Sequence, residues 1–461
     1  MNFKLYISFL LISSLLFSTR VFSQKYGMGA LLDEKYYQDV PEAAQLMRSD
    51  YSNLPSFYSI KQYAPTPGNQ GQTSTCTGWA VAYSARTIIS AMQSNWTKKQ
   101  INENTFSPSY IYNLIRPKEG CNVGTSLSDG LKILKEYGAI KTSQFGFDCD
   151  KIVSNEHHQI ADKFKIKEYR QLVNRKTKDK ISLIKKSLSE NNPVVVAINC
   201  PDSFQDVEEV WQPDSSDYQN NFAGHAITIV SYNDKKENGA FEIMNSWGTD
   251  WGDEGFAWIK YTDFEQFCVW GGELIAMKER EQDNLFNGAI SLNKLNGEKI
   301  TLQLKDQYFS TKNSHKTGTR FQLKLTNNEP AYVYVISSDL SFKTTINFPF
   351  DNFTSPFLPY KENNVIIPGE QYAFQLDEND GITFFCVLYS SAPFDIKRFA
   401  KIVEYKRGTF LNRINSVIKE IGYNKTGQDF LIQTDNEITF STNAQEKTIL
   451  PIVVSIPHEK I

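Results

Sequence analysis

At 461 residues the chain is too long for one ordinary hydrophobic core and suits two domains of moderate size, each large enough to fold alone. Its net charge of −3 is small for that length, and with no lysine or arginine cluster it argues against nucleic acid or an anionic membrane surface as a partner.

The first residues read as a secretory signal. Lys4 gives a positive start, Leu5 to Phe17 is almost wholly apolar, and Val21-Phe22-Ser23 offers small residues where a signal peptidase cuts, so residues 1–23 are set apart from the fold. That apolar run is shorter than the ~20 residues a spanning helix needs, and no other stretch is long enough, so no membrane-spanning segment is expected in the mature chain. No cysteine stands near the cleavage point, which argues against a lipid anchor. The mature protein is expected to begin near Gln24 and to be exported, whether periplasmic, cell-surface associated or secreted, where disulfides are permitted.

Residues 24–53 are polar and mixed, with a short helix predicted at Pro41 to Met47. After Cys76, small and apolar residues from Trp79 to Ala85, followed by Ile88, Ile89 and Met92, predict a buried helix with Cys76 at its N-terminal end. A second helix is predicted from Thr125 to Tyr137, where Leu127, Leu131 and Leu134 fall at helical spacing and Gly138 stops it. A third runs through Ile181, Ile184 and Leu188 to Asn191-Asn192-Pro193. Strands follow at Val194 to Ile198, Ala226 to Tyr232, Phe241 to Met244 and Phe256 to Lys260. Helices first and strands later is an α+β order.

Past about Glu281 the pattern alternates between turn-rich breaks, with strands predicted at Phe321 to Leu325, Ala331 to Ile336, Ala373 to Leu376 and Ile382 to Leu388. One amphipathic helix is predicted at Phe410 to Ile421. Residues 281–461 therefore read as a separate, mostly β domain. The stretches Tyr332-Val333-Tyr334-Val335-Ile336, Phe348-Pro349 and Val365-Ile366-Ile367-Pro368 resemble an uncharacterised accessory module found beside peptidases in exported bacterial proteins.

Three segments carry chemistry. Gln70-Gly71-Gln72-Thr73-Ser74-Thr75-Cys76 offers a thiol at a helix start with an amide six residues before it. Gly224-His225-Ala226-Ile227 places an imidazole at the head of an apolar strand, behind a glycine that leaves room for a substrate. Asn245-Ser246-Trp247-Gly248, followed by Trp251-Gly252-Asp253-Glu254-Gly255, supplies a second amide. Of the five histidines only His225 has such a setting: His157 and His158 sit in a polar run, His315 lies among polar residues, and His458 is near the C-terminus. No CxxC pair or paired histidine-cysteine spacing suggests a metal, and no cofactor is expected.

In chain order and spacing these segments resemble the papain-like cysteine peptidases, with His225 about 150 residues beyond Cys76. The resemblance implies a two-lobed fold, a helical lobe facing a β lobe, over residues 54–280, with the boundary near Leu54. It implies hydrolysis of a protein or peptide substrate. Cys76 would be the nucleophile, activated by a helix N-terminus and a nearby imidazolium that can bring a thiol from ~8.5 down to ~3.5. Gln70 and the Cys76 N–H would receive an oxyanion, His225 would protonate the leaving amine, and Asn245 would fix the His225 tautomer beneath Trp247. Gly124, in Gly120-Cys121-Asn122-Val123-Gly124, would line the substrate wall.

The chain departs from the family at three places. Thr77 stands where a tryptophan follows the nucleophile, Thr73 replaces a cysteine three residues before it, and Val123 replaces a glycine. A free Cys76 leaves five cysteines, so at least one more is unpaired within the chain. The resemblance favours a bridge between Cys121 and Cys149. Because a papain-type inhibitory prodomain is several times longer than residues 24–53, that segment is expected not to block the active site in the usual way. The competing reading is a catalytically silent binding protein on the same fold.

Overall fold

The computed structural model describes residues 26–277, 285–426, 431–434 and 436–460; the expected signal segment, residues 1–23, lies outside them. One helical run carries Cys76: Cys76–Gly78, Trp79–Arg86 and Thr87–Gln93 follow without a break, the middle piece wound with wider π geometry. Gly78 lets this run press on the helix Pro108–Ile115, since a Cβ there would stand 2.2 Å from the Pro108 carbonyl oxygen. The helix Leu127–Glu136 begins at Ser126, whose side chain accepts from the Ser128 N–H. It buries Leu127, Leu131 and Leu134 in the same core as Ala80, Val81 and Ile89, and Gly138, at φ 89°, follows its end as the sequence predicts.

Beside these helices lies an antiparallel sheet in the order Glu168–Asn174, Cys268–Ile275, Val194–Asn199, Gly224–Asn233, Ala240–Met244 and Phe256–Lys260. Phe57–Ser59 pairs with the far end of Gly224–Asn233. The strand Gly224–Asn233 is buried along nearly its whole length, and Thr228 donates to the Ala80 carbonyl at 3.1 Å. That bond ties the central strand to the cysteine helix. The expected α+β order is thus what the chain folds into.

Beyond residue 285 two further sheets face each other across a core that includes Ile290, Leu323 and Leu325 on one side and Val333, Val335, Val387 and Ile452 on the other. The helices Ile396–Tyr405 and Phe410–Glu420 cover the outer face of the larger sheet, packing on Tyr334, Ile336, Cys386 and Leu388. Burial on both faces explains why Ala331–Ser338 is apolar almost throughout instead of alternating.

The predicted helix at Pro41 to Met47 does not form. Those residues run extended, because the sheets on either side claim their backbone groups: Gln171 donates to the Pro41 carbonyl and Ala43 to the Gln171 carbonyl, while Glu42 N–H reaches Phe353 and Ser355 N–H reaches Glu42. Ala44 and Leu46 are buried in the core of the β-rich region. Residues 41–50 therefore bridge the two parts of the chain.

The two parts also share a buried ion pair. Arg170 is 2% exposed and Glu273 is fully buried. Arg170 Nε donates to Glu273 Oε1 at 2.7 Å and its Nη1 to the Phe357 carbonyl at 3.0 Å. Tyr360 and Ser187 donate to the other carboxylate oxygen at 2.6 and 2.8 Å. Removing one member leaves a charge buried alone, which typically costs about 3–5 kcal/mol. Glu273→Ala is expected to lower unfolding stability in urea by about that amount, whereas Arg170→Met/Glu273→Leu recovers most of it. A loss for Glu273→Ala below about 1 kcal/mol would contradict this role for the pair.

Candidate active site

Cys76 opens its helix and is fully buried. Backbone amides of Ala226, Gly29, Thr77 and Ala30 lie within hydrogen-bonding reach of the sulfur. Ala226 follows His225 at the head of the central strand, so the sheet delivers the imidazole to the side of the cysteine helix.

His225 and Asn245 meet because the strands Gly224–Asn233 and Ala240–Met244 are antiparallel neighbours, with Thr228 opposite Met244. His225 Nε2 lies 2.7 Å from Asn245 Oδ1. The Ser246 N–H also donates to Oδ1, at 2.7 Å, which fits an oxygen at that position. An acceptor there requires the ring proton on Nε2 and leaves Nδ1 unprotonated; Nδ1 is buried without a partner among the described residues. Trp247 stacks on the imidazole, ring centroids 4.4 Å apart, and is itself 1% exposed. Its indole thereby shields the His225–Asn245 bond from water.

Gln70 joins the same cluster through its backbone and side chain. Its N–H donates to the Ser246 carbonyl at 2.8 Å, and Ser246 Oγ donates to Gln70 Oε1 at 2.6 Å. Ser246 thus aims the Gln70 amide, a role that the sequence gives only as a neighbour of Asn245. Gln70 Nε2 donates to the Thr73 carbonyl at 2.7 Å and to the Gly27 carbonyl at 3.0 Å.

That last contact overturns the expectation for the N-terminal segment. Residues 26–31 lie across the site. Tyr26 stacks on Trp247 at 4.8 Å. Gly27 N–H donates to the Gly71 carbonyl at 2.9 Å, and the Gly27 carbonyl accepts from Gln70 and from the Trp247 indole at 3.2 Å. Further on, Ala30 N–H donates to Gly224, Thr125 N–H to Gly29, and Leu31 N–H to Thr125, at 2.8 to 3.0 Å. Leu31 sits against Gly124, where a Cβ would meet its side chain at 2.9 Å. A long prodomain is not needed to cover this cleft; six residues suffice because two glycines let the backbone lie flat. A Cβ on Gly27 would stand 2.1 Å from the Thr73 oxygen, and one on Gly29 2.3 Å from the Ser74 oxygen.

Covering the site reverses its expected electrostatics. Burial pushes the Cys76 thiol up to about 11, partly offset by the four backbone amides. Burial likewise lowers the His225 imidazole to about 4, against the raising effect of Asn245. Each shift favours the neutral form, so near pH 7 the pair is thiol and imidazole instead of the expected thiolate and imidazolium.

The structure holds the Cys121–Cys149 disulfide, with the α-carbons 5.5 Å apart; Cys76, Cys200, Cys268 and Cys386 are free and buried. Among the described residues the one group with metal-ligand composition is Cys121, Cys149 and Asp150, and its two sulfurs are bonded to each other. Thr77, in place of the family tryptophan, is buried and donates to the Thr125 carbonyl at 3.3 Å, while Trp79 stacks on Phe147.

A difference titration of thiolate absorbance between the intact chain and Cys76→Ala should show no thiolate from Cys76 up to about pH 9. A Cys76 thiolate step near or below about pH 7 would contradict the covered, neutral state.

Comparison with known proteins accords with this geometry. The papain family cysteine protease model matches residues 61–273. An uncharacterised peptidase C1-like protein of Acanthamoeba polyphaga mimivirus is 30% identical over 42% of this chain and 63% of its own length. Cathepsin K of Mus musculus is 25% identical over 43% of this chain and 57% of its own length. The chain thus spans about three fifths of each of these relatives. Among solved structures, xylellain, a cysteine protease from Xylella fastidiosa, is similar at 21% identity and a TM-score of 0.45, over 55% of this chain and 97% of that one. Residues 61–273 of this chain are thus similar to the papain family of cysteine proteases.

Proposed function

We propose that the protein is an exported cysteine peptidase that hydrolyses peptide bonds through Cys76, His225 and Asn245. The observation that carries the reading is the 2.7 Å bond from His225 Nε2 to Asn245, which leaves Nδ1 as the proton-accepting nitrogen next to the amide that faces the Cys76 sulfur.

With the cleft open to substrate and water, the desolvation that holds both groups neutral is relieved, and the Cys76 proton passes to His225. The sulfur attacks a peptide carbonyl carbon. Gln70 Nε2 and the Cys76 N–H donate to the oxygen as it becomes anionic, and His225 returns its proton to the departing amine. Water then attacks the thioester, with His225 as base, and releases the acid. The chemistry uses side chains and water only. The match to the papain family supports protein substrates, and the signal-like residues 1–23 support export; none of the described helices is long and apolar enough to cross a membrane.

The reading is tested with a chain carrying Gly29→Val, in which the covering segment cannot seat. Against a mixed peptide library this chain should release products mapped by mass spectrometry, and adding Cys76→Ala should abolish them. Gln70→Ala in the same background should lower kcat by ~10²–10³. Cleavage that persists after Cys76→Ala would refute the assignment.

A further inference from the structure

We infer that the cavity between the helix Phe410–Glu420 and the outer face of the larger sheet binds a carboxylate carried on an apolar body, held by Arg413 and the first turn of that helix. The site lies wholly in the β-rich region and stands whether or not the peptidase reading holds.

The cavity measures about 230 Å³, and Phe384, Val453, Leu340, Phe342 and Phe410 give it apolar walls. Arg413 also lines it and is only 2% exposed. Its Nη1 donates to the Phe342 and Val403 carbonyls at 3.3 and 3.2 Å, and its Nη2 to Ser338 Oγ at 3.1 Å. Its Nε is buried with no partner among the described residues. The other buried arginines differ: Arg170 meets the Glu273 carboxylate, and Arg86 Nε donates to the Phe164 carbonyl. A buried guanidinium with an N–H unspent and no carboxylate bonded to it is a costly arrangement that an anionic occupant would complete. Burial accordingly holds Arg413 below the ordinary arginine range.

The helix start adds donors of its own. The Asn412 N–H is taken by Thr409 Oγ1 and the Arg413 N–H by the Thr409 carbonyl, but the N–H groups of Phe410 and Leu411 donate to no protein group among the described residues. Both residues line the cavity. Free amides at the positive end of a helix favour an anion. Asp339 lines the cavity too, yet its Oδ1 accepts from the Ser341 N–H and hydroxyl at 2.8 and 2.5 Å, and Arg407, 5.6 Å from the Phe342 ring, adds a second positive charge. Two arginines against one aspartate leave room for one negative charge.

The Phe342 ring lies 4.5 Å from the Arg413 Cζ, and Phe342 stands at φ 72°, where a bulky residue is seldom found. Turning that ring aside opens Nε to an occupant. The volume is below the ~300–1,000 Å³ of drug-sized sites, so the occupant is small. A free aromatic or aliphatic acid has this chemistry, as does the last residue of a peptide with an apolar C-terminus.

The experiment titrates the full chain calorimetrically with N-acetyl-L-phenylalanine, its amide, 3-phenylpropionate and inorganic phosphate. The two acids are expected to saturate with Kd on the order of 0.1–1 mM, the amide and phosphate at least about tenfold more weakly. Tighter binding of N-acetyl-L-phenylalanine would identify peptide C-termini as the source, and tighter binding of 3-phenylpropionate free acids. Arg413→Met should abolish acid binding. Leu340→Glu, at a position 60% exposed where folding is not at stake, should weaken it about threefold by like-charge repulsion. Equal affinity for acid and amide, phosphate binding as tightly as the acids, or no saturable binding at all would overturn the inference. So would undiminished acid binding in Leu340→Glu or in a folded Arg413→Met chain.

Discussion

The Gly27 carbonyl, caught between the Gln70 amide and the Trp247 indole, is the contact on which the resting state of this protein depends. It places a neutral peptide oxygen on the Gln70 amide, the donor proposed to receive a developing charge. It also draws Gly29 and Ala30 over the sulfur, excluding the water that a thiolate and an imidazolium require. A helix N-terminus and a nearby ring are arranged to ionise the thiol, but desolvation outweighs them while the segment is seated. The same residues thus describe an inert and a reactive site, and solvent access decides between them.

Positioning within the site comes from the sheet. The strand that begins at Gly224 gives the Gly224 carbonyl to Ala30, the ring of His225 to Asn245, the amide of Ala226 to Cys76 and the hydroxyl of Thr228 to the cysteine helix. Four of the five residues from Gly224 to Thr228 thereby tie the covering segment, Asn245, Cys76 and its helix into one register. Because its neighbours pair on both sides, that register is fixed: a one-residue slip would turn His225 away from the cleft. The β-rich region meets this sheet at the edge formed by Glu168–Asn174 and Cys268–Ile275, where Arg170 donates to the Phe357 carbonyl and Tyr360 donates to Glu273.

Much of this arrangement was legible in the sequence. A change to β-type apolar runs and a helical leucine spacing located the central strands and the Leu127–Glu136 helix, and the motif spacing singled out Cys76, His225, Asn245 and Gln70. What the sequence could not disclose was long-range backbone pairing. Pro41 to Met47 reads as a short helix in the sequence, yet partners more than a hundred residues away claim its N–H and C=O groups. The covering role of residues 26–32 is hidden for the same reason: Gly27 and Gly29 look like unremarkable loop glycines until the Thr73 and Ser74 carbonyls are found against them. Ser246, likewise, reveals its hold on Gln70 only in three dimensions.

Amide hydrogen exchange at Gly27, Ala30 and Leu31 in the intact chain tests the central claim most directly. These N–H groups are bonded to Gly71, Gly224 and Thr125, so the account predicts strong protection that Gly27→Val/Gly29→Val abolishes. Exchange at free-peptide rates in the intact chain would show that the cleft stands open, and would contradict the account.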